Sequence, residues 1–184
     1  MGADKAFAML NGRTLLERAL DLARAVTVDV AIVGAASKFN QYAPVVDDVF
    51  PNCGPLAGIH AALQSSTTDL NLILAVDVPF ITTELLGYLL SQATSDNNAM
   101  AVVPRTSRGW HPLCAVYRRQ FAIPAEAALR AGSYRIDSLF TGIKMRAVDE
   151  AELAAHNFSS HLFSNLNTPE ELTAAGGLPA IPAH

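Results

Sequence analysis

Apolar residues follow two rhythms along this chain. In the first they recur three and four apart with polar residues between. Leu15, Leu16, Ala19, Leu20, Leu22 and Ala23 form one such stripe, and Leu85, Leu86, Leu89 and Leu90 another. That spacing predicts helices with one buried face. In the second rhythm apolar residues follow one another without alternation, as at residues 72–76 and 100–103, and less cleanly at 28–33. Unbroken runs of this length suit strands covered on both faces, as in a parallel sheet, although a buried helix would also accept them.

Caps and breakers set the boundaries. Thr14 with Glu17 fits a capping box at the start of the first helix. Thr82 can cap the second, which runs to about residue 93. Residues 56–63 follow the turn cluster Pro51-Asn52-Cys53-Gly54-Pro55 and read as a helix, with Gly54 and Gly58 permitting close approach to the sheet or to a ligand. Residues 121–131 form a helix ending at Gly132, and residues 135–141 a short one. Residues 45–50 are a strand interrupted by Asp47 and Asp48, and residues 34–37 a small-residue loop that a ligand's flat surface could approach. The strand at 100–103 stops at Pro104, a polar loop follows at 105–110, and residues 112–117 complete a hairpin. Residues 144–148 are an edge strand and 162–165 the last strand. Thr168-Pro169-Glu170-Glu171 opens a final helix, and the Gly/Pro-rich residues 176–184 form a flexible tail. No linker interrupts residues 1–175, which read as one domain. Strands alternating with helices make it α/β, three-layer and Rossmann-like, around a mostly parallel sheet.

Composition narrows the function. The chain is 51% apolar and 16% charged, which excludes disorder. Its formal charge of −4 argues against a broad nucleic-acid or anionic-membrane face, but leaves room for a small basic phosphate pocket. Two cysteines in no metal or redox motif suit a reducing compartment. With no apolar stretch of membrane-spanning length and no secretion signal, the expected location is cytoplasmic.

The run at 72–76 ends in Asp77-Val78-Pro79-Phe80, so Asp77 is expected at the carboxyl end of a central strand, where open α/β sheets bind ligands. A carboxylate there is a hard oxygen donor, suited to Mg²⁺ shared with a phosphate. An aspartate before Val-Pro is also a common turn or capping residue. His111 lies beside Arg105, Arg108 and the only tryptophan, and two neighbouring cations suit contact with a phosphate-bearing ligand. His60 and the two glycines of its helix have structural readings as good as functional ones. There is no nucleophile elbow and no Gly-Lys-Ser/Thr phosphate loop, which excludes triad hydrolysis and ordinary P-loop chemistry. Lys5 and Asp77 together could instead hold a nucleoside triphosphate for in-line attack.

Several segments, in order, resemble the molybdenum cofactor guanylyltransferases of the broader nucleotidyltransferase family. They are residues 1–5, Asp48 with Gly54-Pro55-Leu56-Ala57-Gly58-Ile59, Asp77-Val78-Pro79-Phe80, His111-Pro112-Leu113, Ala131-Gly132-Ser133-Tyr134-Arg135, and residues 165–172. The resemblance implies the fold of the nucleotide-diphospho-sugar transferases and transfer of GMP from GTP to the phosphate of molybdopterin, with release of pyrophosphate. It implies that Asp77 binds Mg²⁺, Lys5 neutralises the triphosphate and Asp48 contacts the nucleotide. His111, Arg135, Asn165 and Asn167 would meet the molybdopterin side. Molybdoenzymes or other cofactor-biosynthesis proteins would be the protein partners.

The chain departs from the family at its start. The family opens with a strand and a glycine-rich loop, about 15–20 residues in all, of which only the end matches residues 1–5. A start assigned at an internal methionine is one explanation and a truly short chain the other. Without the first strand the sheet is expected to have a gap with unpaired edges, and the chain to bind GTP weakly and to associate. A cytidylyltransferase or other nucleotidyltransferase is an alternative activity. A non-catalytic module that binds or delivers molybdopterin is an alternative of a different class.

Overall fold

The computed structural model describes residues 5–166. Asn167, the helix expected from Thr168 and the tail at 176–184 lie outside the described residues. A short hairpin, β1 (Met9–Leu10) and β2 (Arg13–Thr14), leads into α1 (Leu15–Val26). The expected capping box is present: Glu17 N–H donates to Thr14 Oγ1 at 3.1 Å, and Thr14 N–H donates to the Glu17 carboxylate at 2.8 Å. Next come β3 (Ile32–Val33), α2 (Ala36–Phe39), β4 (Val45–Val46) and α3 (Pro55–Ser65). They are followed by β5 (Leu70–Leu74), α4 (Thr83–Ser95), β6 (Ala101–Thr106), β7 (Gly109–Trp110) and β8 (Cys114–Arg118). The last elements are α5 (Ala122–Arg130), β9 (Met145–Val148) and α6 (Glu150–Ala155).

The larger sheet runs β5-β8-β6, with β9 on the far side of β6 and β7 folded back on its end. Strand β8 is antiparallel to both β5 and β6, while β9 is parallel to β6. Hence β5, β6 and β9 share one direction, and β8, like the short β7, is reversed. Residues of β6 and β8 alternate between two cores, as the pleat requires. Ala101, Val103, Ala115 and Tyr117 face a cluster with α3 and α5. Val102, Cys114 and Val116 face a second cluster with α4 and α6. The arrangement is helices, sheet, helices.

Several elements differ from expectation. Strand β5 is half-buried at every position and stands at the edge of the larger sheet among the described residues, not at its centre. Strands β3 and β4 pair with each other in parallel as a separate sheet, and no pairing among the described residues joins them to β5. This accounts for the half-exposure: among the described residues β5 has a ladder partner on one side only. Strand β6 does not stop at Pro104. That residue is in register with Val148, and its carbonyl accepts from His111 N–H at 2.9 Å. The position needs no donor from residue 104, so proline fits.

Residues 34–37 do not form an open loop. They enter α2, and the Phe39 ring lies where a Cβ on Gly34 would come within 2.9 Å. Residues 162–165 are not a strand: Leu162 and Phe163 close a 3₁₀ turn, Ser160–Phe163, which starts where Ser159 Oγ accepts from His161 N–H. Gly54 opens α3 at a φ of +73°, a conformation that favours glycine. Gly58 meets only ordinary contact with Val33, so no close approach demands it.

Candidate nucleotidyl-transfer site

Beyond β5 the chain continues as Ala75-Val76-Asp77. Ala75 N–H still donates to Leu113 carbonyl at 2.7 Å, which holds this segment against the start of β8. The Asp77 carbonyl accepts from Leu166 N–H at 3.0 Å, drawing the end of the described chain across the same edge. Because β8 is reversed, its first residue stands beside the last residue of β5, in the pair Leu74 and Cys114. One edge therefore collects the exit of β5, the entry of β8 and the hairpin between β6 and β8.

A cavity of about 210 Å³ opens at this edge. Three expected site residues line it: Asp77, His111 and Asn165, together with Trp110, Ile136 and Phe163. A larger hollow of about 340 Å³, walled by Gln64, Arg119 and Ile123, contains none of the expected site residues. Its only formal charge is Arg119, so it lacks the convergent polar groups that a catalytic site needs.

His111 is tightly held. Its Nε2 lies 2.9 Å from Thr106 Oγ1, and its ring stacks on Phe163 with centroids 4.2 Å apart. Burial, with a smaller contribution from the Arg108 charge, pushes its pKa down to about 4. The imidazole is therefore neutral near pH 7, and it offers the cavity a flat polar surface and no charge. The two arginines beside it are engaged elsewhere. Arg108 donates to the Ser160 carbonyl at 2.5 Å and to Ser164 Oγ at 3.3 Å, tying the hairpin to the turn that carries Phe163. The Arg105 guanidinium carbon stands 4.9 Å from the Trp110 ring centroid. Cys114, also on the cavity wall, is a buried thiol whose pKa burial raises to about 12, so it is no nucleophile.

The other expected residues occupy different places. Asp48 is exposed, and its Oδ1 accepts from Phe50 N–H at 3.0 Å within its own turn. Arg135 neighbours Ile136 of the cavity, but its guanidinium is paired with Asp137, at 2.8 and 3.2 Å. Lys5 begins a 3₁₀ turn and is half-buried. It does not line the cavity, yet its neighbour Ala6 packs in the same cluster as Val76, the residue before Asp77. Trp110 is the lining residue that motif matching passed over. Its signal was a lone tryptophan in a short polar hairpin next to the His111 motif.

Among the described residues no three His, Cys, Asp or Glu side chains gather to enclose a cation. A lone carboxylate suits a magnesium ion that takes most of its ligands from water and substrate phosphates, so Asp77 fits that donor set.

Residues 1–147 match the model of the MobA-like NTP transferase domain. The chain belongs to that family. This transferase is 33% identical over 95% of its length to a molybdenum cofactor guanylyltransferase of Desulfosudis oleivorans, covering 86% of that protein. It superposes on the molybdopterin-guanine dinucleotide biosynthesis protein A of Archaeoglobus fulgidus with a TM-score of 0.81 and 26% identity, covering 95% of this chain and 90% of that one. A 2-C-methyl-D-erythritol 4-phosphate cytidylyltransferase of Thermus thermophilus shares the fold, with a TM-score of 0.69 at 18% identity over 94% and 92% of the two chains. The transferase is an α/β enzyme of the nucleotidyltransferase class. None of its described helices is long and apolar enough to cross a membrane.

Proposed function

We propose that this transferase moves GMP from GTP to the terminal phosphate of molybdopterin. An oxygen of that phosphate attacks the α-phosphorus of GTP, the bond to the β-phosphate breaks, and pyrophosphate leaves. The observation that carries the reading is Asp77 on the wall of a cavity with His111 and Asn165, at the edge where β5 exits. The choice of guanylyl transfer and of a molybdopterin acceptor is supported by likeness to a molybdenum cofactor guanylyltransferase and to a molybdopterin-guanine dinucleotide biosynthesis protein.

The acceptor oxygen is already ionised near neutral pH, so the chain needs no strong general base. That agrees with a site whose one histidine is held neutral and whose cysteine is buried. Asp77 would hold Mg²⁺, which, when bound, neutralises phosphate charge and aligns the leaving group. Lys5 would add a positive charge from the neighbouring segment as charge builds on the leaving pyrophosphate. Asn165 and the neutral His111 would orient the acceptor. Asp48 and Arg135 would have to leave their local partners to reach a ligand, which makes them the weaker contributors.

The test is pyrophosphate release by the purified protein with molybdopterin, Mg²⁺ and each nucleoside triphosphate in turn. GTP should support release and Asp77→Asn should abolish it, with the circular dichroism of the variant unchanged. CTP outcompeting GTP would make the enzyme a cytidylyltransferase. Unaltered turnover in Asp77→Asn would remove the aspartate from the reaction, and acceptor binding with no turnover on any nucleotide would favour a binding or delivery module.

A further inference from the structure

Trp110 plays no part in the transfer step, yet the only tryptophan of the chain is on the wall of the cavity at Asp77. The hairpin puts it there, through the cross-strand pair of Arg105 with Trp110. Arg105 stands over one face of the indole, 4.9 Å from its centroid, and Phe140 meets the indole edge-on at 5.2 Å and 69°. A cation on one face and an aromatic ring at the edge fix the indole without covering it, and Trp110 stays half-buried. Elsewhere on the same cavity His111 lies flat on Phe163, their planes 18° apart, and Ile136 adds an apolar surface.

These walls select by shape and polarisability. A volume of about 210 Å³ is below the range of roughly 300–1,000 Å³ that encloses a whole drug-sized ligand. It suits one ring system, with the rest of the ligand extending past Asp77. A phosphate or sugar gains little from an indole, whereas a fused heteroaromatic ring stacks on it. We infer that Trp110 recognises the fused ring system of the acceptor, and that Arg105 is the positioning residue holding the indole for it. The inference rests on the reading of this cavity as the acceptor side of a nucleotidyl-transfer site. Guanine is also a flat fused ring, so the test must separate the two sources.

Fluorescence of the intact chain reports Trp110 alone. Neopterin monophosphate, a stable pterin carrying one phosphate, is titrated alongside glycerol phosphate and alongside GTP with Mg²⁺, and calorimetry measures the binding of each. The pterin should quench emission saturably, at the Kd that calorimetry gives, while the other two leave emission unchanged. Trp110→Leu should weaken pterin binding about tenfold without changing GTP binding, and Trp110→Phe should keep most of the affinity. Arg105→Ala should weaken pterin binding and shift the emission maximum, and Arg105→Lys, which keeps a cation over the ring, should restore both.

Pterin binding without quenching would overturn the inference, as would full pterin affinity in Trp110→Leu or quenching by GTP alone. No pterin binding at all would overturn it too. Intact pterin quenching with no pyrophosphate release from GTP and molybdopterin would instead strike the proposed reaction and leave the ring-binding role of Trp110 standing.

Discussion

Arg118 gives the sharpest stability test, because its side chain is buried and nearly all its partners are carbonyl oxygens. Only 8% of the residue is exposed. Its Nε donates to Ala99 carbonyl at 3.0 Å, and its Nη2 to Ala93 and Asp96 carbonyls at 2.9 and 3.3 Å. The Ala93 carbonyl is in the last turn of α4, with no later turn to use it, while the Asp96 carbonyl just past the helix also accepts from Ala99 N–H at 3.3 Å, so one guanidinium closes that helix and locks it to β6 and β8. Replacing Arg118 by methionine keeps much of the stem volume and removes the charged donors. Hydrogen bonds to a charged group contribute about 1.5–3 kcal/mol each. Water reaches the helix end once the guanidinium is gone, so the net loss should be about 3–4 kcal/mol, below the sum of the individual bonds. The ion pair with Asp69 adds little, because that carboxylate side chain is 62% exposed. Asp69→Asn should cost less than about 1 kcal/mol. With a urea dependence of about 2 kcal/mol per molar, Arg118→Met should lower the unfolding midpoint by about 1.5–2 M. GTP and pterin affinities in native buffer should not change, since Arg118 pairs with Leu70 at the opposite end of β8 from the cavity. A midpoint shift below about 0.5 M, or an equal shift in Asp69→Asn, would refute this account of the network.

Two further expectations concern single groups. The His111 pKa, lowered by burial and then by Arg108 from 6.5 to about 4, means the unfolded chain binds more protons between those values. The contribution to stability is full above about pH 6.5 and falls as pH drops towards 4. His111→Phe should flatten that part of the urea-midpoint profile, and an imidazole titration midpoint near 6.5 by nuclear magnetic resonance would contradict the burial argument. Cys114, buried with its thiol raised to about 12, should resist iodoacetamide at pH 8 until urea unfolds the chain, while the half-buried Cys53 reacts in the native state. Equal labelling of both, read by peptide mass spectrometry, would show that the second core opens easily.

Local chemistry was the most legible part of the sequence. Thr14 and Glu17 formed the capping box that their spacing implies, and Thr82 Oγ1 accepts from Leu85 N–H at 3.4 Å as a cap should. The same signal was available for α6, where Asp149 Oδ1 accepts from Glu152 N–H at 2.8 Å, but the short stripe behind it hid the helix. Pairing decided what periodicity could not. Pro104 looks like a strand end until β9 and the His111 amide are seen to ask nothing of its missing N–H. The run at 72–76 reads as central because it is continuously apolar, and only the absence of a second ladder among the described residues makes it half-exposed. At the site, the carboxyl-edge rule led to Asp77. The company of His111 and Asn165 could come only from family resemblance, because those residues reach the cavity through a reversed strand and a long return of the chain. The charge logic applied to His111 missed that its arginine neighbours already had partners.

The reversal of β8 also governs when the cavity can exist during synthesis. A nascent chain that has emerged only as far as α4 already carries the aspartate, but it has neither the strand that pairs with β5 nor the wall that His111 and Trp110 supply. The cavity closes only when a partner some forty residues further on has been translated and threaded alongside in register. A ribosome-stalled fragment cut short of that point would expose the ribbon of β5 and lack the cavity.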